Sequence, residues 1–100
     1  MESMTREQIL ADLQRSFEGY LNEYGADSIG TYEEPGQGGR YYFGCTVKKD
    51  DRTFHIHTPF AQQEDGRFTA LGNGWTAETD DPMLQDKRGY GDLESALKEI

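Results

Sequence analysis

His55 and His57, two histidines separated by one residue, are the first residues in this 100-residue chain with the means to do chemistry. Residues two apart on a β-strand project from the same face, roughly 6 to 7 Å apart, a spacing from which two imidazoles can hold one metal ion. Cys45, the single cysteine, is the third ligand that such a site would call for. Gly36-Gln37-Gly38-Gly39 has the composition of a loop that wraps a phosphate. Three acidic pairs, Glu33-Glu34, Glu64-Asp65 and Asp80-Asp81, have the charge to dock a basic partner or to hold a divalent cation weakly.

The elements that position these residues can be read from periodicity. Thr5 and Gln8 form a capping box, and Ile9, Leu10, Leu13, Phe17, Tyr20, Leu21 and Tyr24 recur every three or four residues, so a helix is expected over about 5–24. Gly25 stands where a C-terminal glycine belongs, and Gly19 inside the helix would permit close packing on a sheet. From about 28 to 79 the pattern becomes short segments broken by turn residues, an antiparallel meander of about five strands near 28–34, 40–48, 52–60, 67–72 and 75–79. Asn73-Gly74 is the strongest hairpin signal among the breaks. Residues 80–91 read as irregular, and Asp92 then caps a short helix over about 92–100. The expected fold is a single α+β domain.

A two-residue turn at Asp50-Asp51 fixes the register of the second and third strands. It pairs Val47 with Phe54, Cys45 with Ile56, Phe43 with Thr58 and Tyr41 with Phe60 on a core face. Arg40, Tyr42, Gly44, Thr46 and Lys48 then share the opposite, polar face with Thr53, His55, His57 and Pro59. A three-residue turn with Gly66 in the left-handed conformation would bring Phe68 and Ala70 inward, whereas a two-residue Asp65-Gly66 turn would place Thr69 and Leu71 there; the first is preferred because it buries Phe68.

This register decides most of the candidate chemistry. Cys45 points away from both imidazoles and lies between Phe43 and Val47, as an inert core thiol rather than a ligand or nucleophile. No Asp or Glu is placed beside the histidines, so a solvated strand face is preferred to a metal site or an acid–base pair, and a metal-binding protein built on His55 and His57 stays an alternative. The glycine-rich run precedes a strand rather than the helix that phosphate loops require, and reads as a hairpin connection. Trp75 is expected to anchor the core. In a simple meander the three acidic pairs would gather at one rim, offset mainly by Arg40 and Arg67.

The bulk numbers set further bounds. Nineteen acidic residues against ten basic give a net charge of -9, which argues against direct nucleic-acid binding and favours a basic partner. Leu, Ile, Val and Phe total only 17, fewer than a strongly charged globular chain usually has, but six Tyr and one Trp can extend the core. No apolar run is long enough for a membrane helix, no secretory signal opens the chain, and the lone cysteine suits a reducing compartment, so a cytoplasmic location is expected.

Thr5-Arg6-Glu7-Gln8, Tyr42-Phe43-Gly44 with Val47-Lys48-Lys49-Asp50, the run from Trp75 to Pro82, and Asp92-Leu93-Glu94-Ser95-Ala96-Leu97 together resemble an uncharacterised family of short acidic bacterial proteins. The resemblance implies no activity. In architecture and charge the chain is also similar to bacterial secretion chaperones and immunity proteins, a likeness that does not carry function. The expectation is a non-enzymatic binding protein, without a cofactor, monomeric or homodimeric, with two candidate surfaces. One is the sheet face around Tyr42, His55 and His57, and the other is the acidic rim of Glu33, Glu34, Glu64, Asp65, Asp80 and Asp81. The alternative is an acidic chaperone-like or inhibitor-like protein that sequesters one basic partner.

Overall fold

A computed structural model describes residues 3–72, 74–80 and 86–100. The N-terminal helical stripe folds as two helices, α1 (Arg6–Arg15) and α2 (Phe17–Tyr24), joined at Ser16. Thr5 closes the expected capping box: its hydroxyl accepts from the Gln8 amide, and the Gln8 side chain accepts from the Thr5 amide. Gly25 ends α2 in the left-handed conformation, as its position implied. Ser16 turns the helix so that its apolar stripe follows a twisted sheet. Leu13, just before the bend, packs against both halves of the core. Gly19 does not serve the close packing expected of it: it is exposed, and no atom lies within 4 Å of where its Cβ would stand.

Among the described residues six antiparallel strands follow: β1 (Ser28–Pro35), β2 (Arg40–Lys49), β3 (Arg52–Gln62), β4 (Phe68–Ala70), β5 (Trp75–Thr79) and β6 (Lys87–Tyr90). Asp50 and Asp51 both adopt positive φ, the geometry of a two-residue turn whose twist matches its strands. The β2–β3 register that this turn implies is the observed one, with Val47 opposite Phe54 and Cys45 opposite Ile56. The glycine-rich run is a hairpin connection with Gly38 and Gly39 at positive φ. Phe68 is buried as expected, whereas Ala70 is exposed.

The meander departs from simple succession after β3. β4 and β5 do not form a hairpin with each other; both pair with β3, end to end along its outer edge. Asn73 lies outside the described residues. Pro59 explains the interruption. Its carbonyl accepts from the Leu71 amide on that edge, and its nitrogen faces the same way with no proton to give. The β4 ladder therefore stops at Phe60–Ala70 and the β5 ladder at His57–Thr76. β6, where an irregular stretch was expected, pairs with β5 through a register shift and forms one edge of the sheet. Met4 bridges to Phe68 by two hydrogen bonds of 2.8 Å and covers the short β4.

The helices of the described residues pack on one face. α1 closes a cluster of Ile9, Phe43, Phe60 and Phe68 in which three rings meet edge to face. The second cluster holds Cys45, Val47, Phe54, Ile56 and Ala77 under α2 and the C-terminal helix α3 (Leu93–Glu99), whose N-cap Asp92 accepts from the Ser95 amide at 2.7 Å. Trp75 packs against this cluster opposite Tyr90, as a core anchor. Among the described residues no helix is long and apolar enough to cross a membrane.

Candidate functional site

The sheet face away from the helices is built by strand alternation. Tyr32 of β1 stands opposite Gly44 of β2, and Gly44 stands opposite His57 of β3. His55 and His57 in turn face Glu78 and Thr76 of β5. Gly44 is required at the centre. A Cβ there would sit 1.7 Å from the Ile56 carbonyl oxygen and 2.7 Å from the His57 Cα. Above this glycine the Tyr32 and His57 rings stack with centroids 5.4 Å apart, and Tyr32 also lies 5.0 Å from the His55 ring. Tyr42 meets His57 edge-on at 5.2 Å.

This arrangement changes the sequence reading in three respects. First, the pair is not a solvated strand surface: His57 is only 7% exposed beneath the two tyrosines. Second, carboxylates do stand beside the histidines. His57 Nε2 lies 2.8 Å from Glu78 Oε1, and His55 Nε2 lies 3.6 Å from Asp80 Oδ2. A carboxylate can only accept, so Nε2 of His57 carries the proton, and its buried Nδ1 has no hydrogen-bond partner among the described residues. Third, each imidazole is already engaged by protein, His55 also through the Thr46 hydroxyl, 2.9 Å from Nδ1. Among the described residues no three His, Cys, Asp or Glu side chains gather in a metal-holding group.

The single acidic rim does not form. Because β4 and β5 run along one edge in the same direction, Glu33, Glu34, Glu64 and Asp65 lie at one end of the sheet and Asp80 at the other. Asp81 is outside the described residues. Glu33 faces the helices, where both its oxygens accept from the Arg6 guanidinium at 2.7 Å. It ties α1 to β1. Glu64 and Asp65 occupy the exposed β3–β4 turn, and Asp65 accepts from the Arg67 amide. The Arg67 guanidinium, by contrast, donates to the Ser3 hydroxyl and carbonyl.

Glu34 alone of the first group belongs to the open face. Its carboxylate accepts the Tyr32 hydroxyl, and burial, reinforced by that bond, holds the phenol above its ordinary pKa. Glu34, Tyr42, His57, Thr76, Glu78 and Arg88 line a pocket of about 290 Å³. Sequence reasoning missed Tyr32, Glu78 and Arg88 as members of this face. The alternation of β1 against β2 would have found Tyr32 once their register was fixed, but Glu78 and Arg88 arrive only through the pairing of β5 and β6. Cys45 is fully buried on the other face, and burial pushes its thiol pKa up to about 12.

Comparison with the curated proteins finds no match. Residues 3–100 match the model of a family of unknown function, DUF5634, and the chain belongs to that family.

Proposed function

We propose that the chain is a non-enzymatic binding protein whose open sheet face docks a basic protein. The observation that carries this reading is the one-sided packing of the helices. It leaves a face with two tyrosines over a buried histidine and carboxylates on either side. Aromatic rings ringed by charge are the composition from which binding anchors are built. The cations of this face stand at its margins, Arg40 and Lys48 at the two ends of β2 and Arg88 on the edge strand, whereas Glu34 and Glu78 flank its centre. A net charge of -9 steers a cationic partner in and opposes pairing of two copies through this face.

The test is capture from host lysate with immobilised wild-type protein, Tyr42→Ser, and the helix-side control Glu23→Gln, at low and high salt. Retention of a basic protein by wild type and control, lost in Tyr42→Ser and strongly weakened by salt, supports the reading. Surface charges are screened over about 8 Å at physiological ionic strength, so binding indifferent to salt refutes it. Capture unaffected by Tyr42→Ser refutes it equally.

A further inference from the structure

We infer that the pocket between Glu34 and Glu78 is the receptor for a single cationic side chain, a lysine ammonium or arginine guanidinium presented by the docked partner. This deepens the proposed binding function and rests on it. Each carboxylate spends one oxygen inside the protein, Glu78 Oε1 on His57 and Glu34 Oε2 on the Tyr32 hydroxyl. Their other oxygens have no hydrogen-bond partner among the described residues, and both carboxylates line the same space of about 290 Å³. The internal bonds orient the two acids from below, on side chains that are themselves stacked and half or fully buried. Tyr42 completes the wall, giving an inserted cation an aromatic neighbour as well as two acceptors.

Arg88 is the side chain through which experiment can decide the sign of the guest. It lines the pocket from β6, is exposed, and forms no ion pair among the described residues. For a cationic guest it is a competitor whose charge must be displaced. For an anionic guest it would be the principal ligand. Removing it therefore has opposite consequences under the two chemistries.

The experiment is an amide-resolved NMR titration of the full chain with Nα-acetyl-lysinamide, Nα-acetyl-argininamide and the uncharged Nα-acetyl-leucinamide, each to about 50 mM, a range suited to the millimolar affinity of one small side chain. Expected are saturable shifts at Tyr42, Thr76 and Glu78 with the cationic probes and none with the leucine probe. Glu34→Gln and Glu78→Gln each weaken binding by about five-fold, and Arg88→Ala tightens it by about two- to five-fold, the range of exposed ion pairs. Dispersed spectra establish that each variant is folded; Glu34→Gln serves should Glu78→Gln disturb His57. Absent or unsaturable shifts, equal response to the leucine probe, or weakening by Arg88→Ala overturns the inference. If the probes fail while Tyr42→Ser still abolishes partner capture, the docking face stands and the cation pocket falls; if capture is also indifferent to Tyr42, both fall.

Discussion

Replacing Gly44 by alanine should destabilise this protein far more than one added methyl group usually does. The new Cβ would lie 1.7 Å from the Ile56 carbonyl oxygen, and ordinary contact begins near 3.4 Å, so β2 and β3 must part by about 1.7 Å at their centre. The atoms in the way are backbone, which no rotamer change can clear. A hydrogen bond of ordinary length stretched by that amount is lost, and about two ladder bonds at roughly 1 kcal/mol each are at stake. Shifting the buried Ile56 and Cys45 beneath adds an overpacking cost, for a total of about 3 kcal/mol. In a domain of this size about 3 kcal/mol lowers the thermal midpoint by roughly 12 to 24 °C. Thermal unfolding followed by circular dichroism measures it directly. Gly30→Ala is the matched control: Gly30 lies on the same face of β1, but nothing stands within 4 Å of its Cβ position. A loss below about 4 °C for Gly44→Ala, or one equal to that of Gly30→Ala, would refute the close approach on which the Tyr32–His57 stack rests.

Three further outcomes are expected. Gly19→Ala should raise stability by about 0.5–1 kcal/mol in chemical denaturation, because the position is helical, exposed and open to a Cβ. Cys45 should resist a thiol reagent such as 5,5′-dithiobis(2-nitrobenzoic acid) near pH 8 in the native protein and react fully in denaturant, since its thiol is buried and its pKa is raised to about 12. The Asp92 carboxyl titrates below its ordinary value of 3.8, chiefly because it accepts hydrogen bonds from Ser95. Its contribution to stability is therefore present above pH 3.8 and lost as pH falls through the lower folded value, so Asp92→Asn should flatten that part of the acid limb of a melting profile.

Local chemistry made much of the fold legible. A capping box, a stripe at spacings of three and four, and Gly25 located the N-terminal helix, although its bend at Ser16 carried no comparable mark. The candidate site was legible only by halves. Tyr42, His55 and His57 were placed on one face by alternation, whereas their burial and their acidic neighbours were not, because those belong to strands distant in sequence. The Asn73-Gly74 signal misled for a related reason: turn propensity describes what a tetrapeptide can do, and the longer β3 offered both flanking segments a partner already in place. Lys87–Tyr90 gave no strand pattern because an edge strand of four residues, three of them exposed, needs little apolar alternation.

The elements whose causes are local follow from the residues along the chain: the helices, the Asp50-Asp51 turn, and through that turn which side chains of β2 and β3 face the core. Which acids accompany the histidines depends on how the strands assemble. Pro59 has no proton for the outer edge of β3, so the ladder breaks there and β5 slides along that edge to bring Glu78 to His57 and Asp80 to His55. The same shift carries Asp80 away from Glu33 and Glu64 and dissolves the acidic rim. Hydrogen-bond satisfaction between strands far apart in sequence set that geometry, and it is a property of the assembled sheet that no single segment contains.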